Sequence, residues 1–295
     1  MSKVAIVTDS NSGITQEEAK KLNIKVIPMP FAINHEAYLE DINLTQEMFY
    51  EKLLADADVS TSQPSIAYVK EVWDECLETY DEVVYIPMSS ALSNSCASAT
   101  NEANENYNGK VFVVDNQRIS VTQKCSVYDA IKLAQKGYNA KQIHDILMEN
   151  ALNADIFIMI NTFKYLKKGG RVTPAAARFG SLLKIKPVLI IKANKLDTFK
   201  MTNRTIKGAI SAMIKECKSR MNGYMKAIDG RVDNVYVGAA YTGINNENVN
   251  LLLEAIKEEF PGYTIICDPL ALSITCHIGD GAIAMGVIKS IPDKY

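Results

Sequence analysis

Short apolar runs alternate with longer amphipathic stretches in the first half of the chain. Buried strands are predicted over 3–8, 24–31, 82–88, 110–114 and 155–160, and helices over 15–22 and 65–80. The second helix is indicated by apolar residues that recur every three or four positions from Ile66 to Tyr80. Strands separated by helix-length segments are typical of βαβ units. We therefore predict an α/β domain whose mostly parallel sheet is covered on both faces.

The pattern changes after Asn161. The segment 167–171 combines two lysines, two glycines and an arginine, and two strands are predicted within 184–199 around a turn at 193–195. Helices over 205–221 and 247–260 and strands over 235–240 and 263–267 follow. This change predicts a domain boundary near residue 162, which divides the chain into domains 1–162 and 163–295.

The composition narrows the class of protein. The 295 residues are 47% apolar and 22% charged, with a net charge of −2 and a pI near 6.0. This balance provides no basic surface for nucleic acid or anionic lipid. The six cysteines show no metal-ligand spacing, the apolar run before Thr8 is too short for a signal peptide, and no run is long enough for a membrane span. A reduced, cytoplasmic protein without a membrane span is expected.

Motifs for several common chemistries are missing or incomplete. The chain has no G-x-S-x-G elbow and no G-x-x-x-x-G-K-[ST] phosphate loop. Residues 279–284 match G-x-G-x-x-A, but only 11 residues follow, too few for the rest of a dinucleotide-binding unit. The three histidines, at positions 35, 144 and 277, are too dispersed for a zinc site. Neither a cofactor nor a metal is expected.

Hydroxyl-rich loops adjoin predicted strands and helices at 8–10, 60–65 and 89–95. Helix capping explains such residues without a ligand, because serine and threonine accept hydrogen bonds from the first amides of a helix. The loops also suit an anion, since parallel strands end at one edge of a sheet and helix N-termini attract negative charge. His277 and Arg171, each beside glycines, are candidate partners of that anion, and each also fits an ordinary loop residue. These features indicate a two-domain α/β protein with a site for a small anion.

Eight segments, in order, make the chain resemble the DegV family of bacterial fatty-acid-binding proteins. They are Val-Thr-Asp-Ser at 7–10, Val-Ile-Pro-Met at 26–29, Thr-Ser-Gln-Pro-Ser at 61–65, Ser-Ser-Ala-Leu-Ser at 89–93, Val-Val-Asp at 113–115, Leu-Lys-Lys-Gly-Gly-Arg-Val at 166–172, Gly-Ser-Leu-Leu-Lys-Ile-Lys-Pro-Val-Leu at 180–189 and His-x-Gly-x-Gly at 277–281. The match runs essentially from end to end, and the order of the segments makes it specific.

The resemblance implies an N-terminal α/β domain of the kind found in dihydroxyacetone kinases, a C-terminal α+β domain, and a long-chain fatty acid in a tunnel between them. Members similar to this chain are lipid-carrying subunits of a fatty-acid kinase, which present the carboxyl group to a separate ATP-binding subunit that makes acyl-phosphate. Because nucleotide and metal motifs are missing, we expect this chain to have no chemistry of its own. Arg204 falls where the family tends to carry a basic residue for partner docking. Carried over position by position, the carboxylate site falls on Thr61, Ser62, Ser93, Asn94, Arg171 and His277.

The chain departs from the family pattern at three places. Asn94 and Ser95 replace a Gly-Thr pair, Asn116 replaces a serine, and residues 278–281 replace Thr-Gly-Pro-Gly. The last departure leads us to expect an acid, Asp280, close to the head-group site.

Two other functions remain compatible with the sequence. A lipid-sensing regulatory protein without a kinase partner would show the same features. A small-ketone enzyme of the dihydroxyacetone-kinase type would need a histidine at the crevice of the N-terminal half. Only His35 and His144 are available there, and neither lies in a predicted crevice loop.

Overall fold

The computed structural model describes residues 2–170, 185–192, 195–200, 203–227, 235–291 and 295. The strands are β1 (Val4–Asp9), β2 (Lys25–Ile27), β3 (Pro30–Ile33), β4 (Glu36–Leu39), β5 (Val59–Thr61), β6 (Glu82–Ile86), β7 (Val111–Val113), β8 (Ala154–Met159), β9 (Val188–Lys192), β10 (Lys195–Lys200), β11 (Val235–Tyr241), β12 (Thr264–Pro269) and β13 (Ile283–Lys289). The helices are α1 (Gln16–Leu22), α2 (Gln46–Leu54), α3 (Ile66–Leu77), α4 (Ser95–Asn106), α5 (Val121–Gln135), α6 (Ala140–Glu149), α7 (Lys164–Lys168), α8 (Ile206–Ala227), α9 (Glu247–Glu259) and α10 (Leu272–Ile278).

The first sheet has four strands in the order β2-β1-β6-β7, and all of them run parallel. Every residue of β1 is buried, because α3 and α4 cover one face of the sheet while α5 and α6 cover the other. Trp73 of α3 is fully buried between the rings of Tyr85 and Tyr107. The predicted parallel sheet with helices on both faces is confirmed.

A small antiparallel sheet, in the order β4-β3-β5, branches off after β2. The single strand predicted over 24–31 is wrong, because the chain forms two strands with Pro28 and Met29 between them. Pro28 has no amide hydrogen to continue the first ladder, so the chain leaves that sheet here. α2 packs on the small sheet, with Phe49 edge-on to Phe31.

The second large sheet has six strands in the order β10-β9-β8-β13-β11-β12. It is mixed, since β11 and β12 pair in parallel while its other pairings are antiparallel. Helices α8 and α9 cover one face, and the other face is directed at the first domain. The implied α+β arrangement of the second part is confirmed.

The strand predicted over 155–160 belongs to this second sheet and not to the parallel sheet. β8 pairs with β13 and β9, so the chain enters the second sheet before residue 162. Phe157 and Met159 point to the helix-covered face, and Ile156 and Ile158 to the opposite face. Periodicity identifies a buried strand but cannot assign its sheet, because the pairing partners lie far along the chain.

Helix α5 lies between the two large sheets and contacts both of them. It packs on β1 and β6 on one side and on β8, β11 and β13 on the other. The second sheet approaches α5 closely because two of the residues that face this helix are glycines. A Cβ atom at Gly238 would lie 2.6 Å from Val121 Cγ2, and one at Gly286 would lie 3.3 Å from Thr122 Cγ2. α5 is therefore a core element of both domains.

Helix α10 follows β12 in the chain but packs on the small sheet. Its Leu272 and Cys276 belong to the same buried cluster as Phe49, while Ile274 and Ile278 join the cluster beneath the second sheet. α10 therefore bridges the two domains.

Candidate functional site

A cavity lies where the parallel sheet, the small sheet and the second sheet meet. The space between its walls is about 650 Å³, including the part that is open to solvent. Its apolar wall includes Met88, Ile119, Ile158, Leu166, Ile191 and Ile274. Its polar side chains are Asn11, Thr61, Ser62, Gln63, Ser93, Ser273 and His277.

The cavity wall is mostly apolar and carries half-buried or exposed polar side chains at one end. Two polar residues, Asn11 and Ser273, are buried in the wall and bond to each other. Ile158 on the inner wall is 1% exposed. By contrast, Thr61, Ser93 and His277 are half-buried and Ser62 is exposed. This distribution suits an amphipathic ligand whose apolar part is buried and whose polar end stays near water.

Thr61 and His277 meet at the polar end. Thr61 is the last residue of β5, where it pairs with Phe31, and His277 lies in the last turn of α10. Thr61 Oγ1 is 3.1 Å from His277 Nε2. When Nε2–H donates to the threonine oxygen, the threonine hydroxyl can donate its own hydrogen to an anion.

Ser93 approaches the cavity from the loop between β6 and α4. Its hydroxyl oxygen accepts a hydrogen bond from Ser95 N at 3.2 Å, which leaves its hydrogen for a ligand. The N-terminus of the 12-residue helix α4 adds a partial positive charge beside it. Asn94, just before this helix, is exposed, makes no side-chain capping bond and does not line the cavity.

Helix α7 packs on the end of α10 at two close approaches. A Cβ atom at Gly169 would lie 2.2 Å from His277 Nδ1, and one at Gly279, whose φ is +80°, would lie 2.4 Å from the Tyr165 ring. Only glycine fits at either position, so both glycines fix how α7 and α10 meet. Leu166 of α7 lines the cavity.

The hydroxyls of the loop after β1 do not line the cavity. Thr8 Oγ1 donates to a backbone carbonyl of β6 at 2.7 Å, and Ser10 Oγ donates to a buried carboxylate. Asp9 is fully buried and accepts hydrogen bonds from Met88 N at 2.8 Å and Gln123 Nε2 at 3.1 Å. Burial raises the pKa of Asp9 above its ordinary value, and these hydrogen bonds oppose that rise. These hydrogen bonds hold the end of β1 against the end of β6, so the hydroxyls of this loop have a structural role.

Other predicted hydroxyls cap helices or brace turns. Ser65 Oγ accepts a hydrogen bond from Tyr68 N at the start of α3, and Ser90 Oγ donates to Asp115. The capping interpretation accounts for these two serines. The ligand interpretation remains for the hydroxyls on the cavity wall.

Asn11 and Ser273 line the cavity although neither is predicted as a site residue. Ser273 Oγ donates to Asn11 Oδ1 at 2.6 Å, and Asn11 Nδ2 donates to Asp9 at 3.0 Å. Ser273 precedes His277 by one helical turn. A helix prediction over 272–278 would have placed both side chains on one face.

Arg171 falls outside the described residues, and the remaining predicted residues do not line the cavity. Arg204 is exposed and does not line the cavity. Asp280 approaches Gly243, where a Cβ atom would lie 2.4 Å from Asp280 Oδ1, and it is not part of the cavity wall. Asn116 is buried and accepts a hydrogen bond from the amide two residues ahead.

Among the described residues, no group of histidine, cysteine, aspartate and glutamate is arranged to hold a metal ion. No described helix has the length and apolar character needed to cross a membrane. His35 lies in the turn between β3 and β4, and His144 on α6 contacts Asp145 at 3.0 Å. Neither histidine lines the cavity, so neither is placed to contact a small ketone there.

Known proteins are similar to this chain in sequence and in fold. The DegV family model, described as "Uncharacterised protein, DegV family", matches residues 3–290. A DegV domain-containing protein of Staphylococcus aureus is 28% identical over 290 residues, which cover 98% of this chain and 100% of the relative.

Two solved structures agree with this match. One, described as the fatty acid binding of a DegV family protein from Thermus thermophilus, has a TM-score of 0.86 at 26% identity and covers 97% of this chain and 99% of its own. The other, DegV, a fatty acid binding protein from Bacillus subtilis, has a TM-score of 0.84 at 25% identity and covers 98% and 100%. With a family model that matches nearly all of its length, this chain belongs to the DegV family.

Proposed function

We propose that this protein binds a long-chain fatty acid in the cavity and presents its carboxylate to a partner kinase for acyl-phosphate formation. The observation that carries the proposal is the cavity wall, which is mostly apolar and bears half-buried hydroxyls and an imidazole at one end. The DegV proteins of Thermus thermophilus and Bacillus subtilis, which share the fold, are described as binding fatty acids.

The acyl chain supplies most of the affinity. Burial of a sixteen-carbon chain at ~0.8 kcal/mol per CH₂ contributes on the order of 12 kcal/mol before the costs of association. A charge-assisted hydrogen bond contributes roughly 1.5–3 kcal/mol, much of it offset by desolvation of the carboxylate. The apolar wall therefore sets how tightly the lipid is held.

The polar end sets the orientation of the lipid. Thr61 and Ser93 each keep a hydroxyl hydrogen for the carboxylate in the arrangement described above. His277 supports Thr61, and Ser62 adds a hydroxyl at the rim. Arg171 remains a predicted cationic partner of the same head group. With the carboxylate held at the opening, a second protein can reach it.

Phosphoryl transfer is assigned to the partner. The chain has no sequence motif for binding a nucleoside triphosphate, whereas its cavity suits the acceptor of the phosphoryl group. The protein removes the acyl chain from water, and a separate ATP-binding subunit carries out the transfer. Arg204, which is exposed, is the candidate contact for that subunit.

Native mass spectrometry of protein purified from cells, followed by extraction of the bound molecule, tests the first half of the proposal. We expect a long-chain fatty acid at one molecule per chain. Incubation with ATP, with and without the host's kinase subunit, tests the second half. Acyl-phosphate should form only with the partner. If the purified chain alone formed acyl-phosphate, the protein would itself be the enzyme. If the protein held lipid but did not bind the kinase subunit, it would be a lipid sensor.

Substitution of Thr61 and Ser93 tests whether their hydroxyls orient the lipid or set its affinity. Thr61→Val and Ser93→Ala should lower acyl-phosphate formation by about tenfold or more and lipid retention by less than about threefold, because the apolar wall is unchanged. Ser65→Ala is the matched control, since Ser65 caps α3 and does not line the cavity. It should cost only about 1 kcal/mol of stability. Complete loss of lipid in both site variants would contradict the dominance of the acyl chain.

A further inference from the structure

Two buried polar side chains interrupt the apolar wall of the cavity. Asn11 follows β1 and Ser273 lies on α10, and both line the cavity although they are 0% and 4% exposed. The same wall includes apolar side chains such as Ile119 and Ile274. A polar group that faces an unsubstituted acyl chain loses water without gaining a partner. A plain acyl chain therefore leaves this part of the wall without a hydrogen bond from the ligand.

Asp9 fixes the orientation of the Asn11 amide. Asp9 Oδ1 accepts hydrogen bonds from Asn11 N at 3.1 Å, from Asn11 Nδ2 at 3.0 Å and from Gln123 Nε2 at 3.1 Å. All three donors are N–H groups, so this oxygen acts as an acceptor. A flipped Asn11 amide would set its oxygen against Asp9 Oδ1 and lose a hydrogen bond. The side of the amide that reaches Ser273 is therefore its oxygen.

This orientation decides what Ser273 offers to a ligand. Ser273 Oγ donates its hydrogen to Asn11 Oδ1 at 2.6 Å. In the part of the chain that the structure describes, no group donates a hydrogen bond to Ser273 Oγ in return. A hydroxyl oxygen that has given its hydrogen keeps its lone pairs as acceptors. Ser273 therefore presents an acceptor to the cavity, which suits a hydroxyl group of a ligand and disfavours a carboxylate.

Helix α10 is also held to the first domain at other points. Glu40, which follows β4, accepts a hydrogen bond from the first amide of the helix. Tyr50 OH lies 3.5 Å from Thr275 Oγ1, and Cys276 Sγ lies 3.8 Å from a backbone carbonyl of β5. These contacts fix the place of Ser273 on the cavity wall, and they remain when the Ser273 side chain is changed.

Ser273 lies one helical turn inward from His277. Four residues of an α-helix advance about 6 Å along its axis, and residues i and i+4 share a face. Ser273 is buried, whereas His277 at the polar end is half-buried. An extended polypeptide backbone spans roughly 3.3–3.6 Å for every three bonds, so about 6 Å corresponds to about five bonds of an extended acyl chain. A carboxylate beside His277, with its chain running along α10, therefore brings about the sixth carbon to Ser273.

We propose that the cavity takes an acyl chain that carries a hydroxyl group at about the sixth carbon, with Ser273 Oγ accepting the hydrogen bond of that hydroxyl. This inference rests on the proposed function, because it names the class of fatty acid for the same cavity. Ser273 is then a specificity-determining residue, since its oxygen distinguishes a hydroxylated chain from a plain one. Asn11 is a positioning residue, since it holds the hydrogen of Ser273 away from the ligand.

Competitive displacement of radiolabelled palmitate from the purified chain, loaded after removal of bound lipid, tests the proposal. The competitors are palmitate, 6-hydroxypalmitate, 16-hydroxypalmitate and 6-oxopalmitate. Wild type should bind 6-hydroxypalmitate about tenfold or more tightly than 16-hydroxypalmitate, whose hydroxyl cannot reach Ser273. It should also bind 6-hydroxypalmitate about tenfold or more tightly than 6-oxopalmitate, because the oxo group has no hydrogen to donate.

Ser273→Ala should remove this preference. The variant should bind 6-hydroxypalmitate about tenfold more weakly than wild type and palmitate within about threefold of wild type, because only the hydroxylated chain loses a partner. Both acids occupy the same cavity, so the ratio of their dissociation constants cancels general damage to the wall. Ser12→Ala is the matched control, since Ser12 is buried in the loop after β1, donates to Asp9 O at 2.8 Å and does not line the cavity. It should keep the wild-type ratio.

The same ratio of 6-hydroxypalmitate to palmitate binding in wild type and Ser273→Ala would overturn the proposal, as would equal binding of the 6-hydroxy and 6-oxo acids to wild type. The second comparison needs no variant, so it decides the matter even if Ser273→Ala does not fold. Palmitate binding without a preference for the 6-hydroxy acid would refute this inference and leave the proposed function standing. Failure of every acid to bind would refute both. The assay contains no kinase, so it does not depend on acyl-phosphate formation.

Discussion

At the scale of single residues, Gly169 sets the position of His277 by having no side chain. The imidazole Nδ1 occupies the space in which a Cβ atom would lie, 2.2 Å away. His277 in turn reaches Thr61 with its other ring nitrogen. The geometry of the polar end therefore depends on a residue that offers no functional group of its own.

Gly169→Ala should displace the imidazole, because the new methyl group would lie 2.2 Å from His277 Nδ1. We expect acyl-phosphate formation with the partner kinase to fall by about tenfold and lipid retention by less than about threefold, because the apolar wall sets retention. Overpacking should cost ~1–3 kcal/mol of stability. Acyl-phosphate assays, lipid-release assays and urea unfolding measure these effects.

Gly223→Ala is the control, since Gly223 lies on the exposed surface of α8 with open space around it. It should leave acyl-phosphate formation unchanged and raise stability by ~0.5–1 kcal/mol, as an alanine does within a helix. Unchanged acyl-phosphate formation by Gly169→Ala would mean that His277 has another position from which it serves the site equally well.

At the scale of elements, α5 shows how one helix can serve two sheets. Ten of its residues are buried, because the parallel sheet covers one side and the second sheet the other. Gly238 of β11 and Gly286 of β13 remove the side chains that would otherwise hold the second sheet away.

Gly238→Ala should push α5 away from β11, since the new methyl group would lie 2.6 Å from Val121 Cγ2. We expect a loss of ~1–3 kcal/mol in the free energy of unfolding, measured in urea. In a double-mutant cycle, adding Val121→Ala should recover part of this loss, because it removes the contacting methyl group. Strict additivity of the two substitutions would show that the clash is relieved elsewhere.

At the scale of the whole molecule, buried polar contacts join the two domains. Lys124 of α5, whose side chain is 5% exposed, pairs with Glu18 of α1 at 2.9 Å and with Asp268 of β12 at 3.1 Å. Asp129 of the same helix accepts hydrogen bonds from Ser290 Oγ and from the next amide, just after β13. The contact at Asp129 should make the stability of the whole chain sensitive to pH, because burial raises the pKa of this carboxyl.

Asp129 should make the folded protein less stable as the pH rises from 4 to 6. Burial raises its pKa to about 6, with Ser290 and Arg118 opposing the rise. The folded state therefore binds this proton more tightly than the unfolded state. Its contribution of roughly 3 kcal/mol is present below the unfolded pKa and is lost as the pH passes through the folded one.

Urea unfolding at several pH values measures this slope in wild type and in Asp129→Asn. The variant should show a flatter dependence between pH 4 and 6, because its amide does not titrate. Asp145→Asn, at an exposed position of α6, should keep the wild-type slope. Parallel curves for wild type and Asp129→Asn would contradict the assignment.

Much of the fold follows from local patterns. The buried strands β1 and β6 and the amphipathic helix α3 are evident from apolar spacing alone, because burial on a fixed face imposes a period of two or of 3.6 residues. The hydroxyl of Ser93 is a candidate for the same kind of reason, since Ser93 follows β6 of the parallel sheet. Thr61 ends β5 of the small antiparallel sheet, so the sheet-edge rule does not account for its place at the cavity.

Local patterns could not distinguish the hydroxyls that cap from those that face a ligand. Ser65 and Ser93 occupy similar loops, and each accepts a hydrogen bond from an amide at the start of a helix, yet of the two only Ser93 lines the cavity. The choice depends on which side chains the rest of the fold places opposite them.

The sequence by itself determined the parallel α/β framework, the family and four polar residues of the cavity, because each was found from short segments of the chain. Only the tertiary structure decided that β8 joins the second sheet, that Asn11 bonds to Ser273 and that Glu40 caps α10. These contacts join residues up to 262 positions apart. No local periodicity encodes such a pairing, since it forms only when both domains close around the same helix.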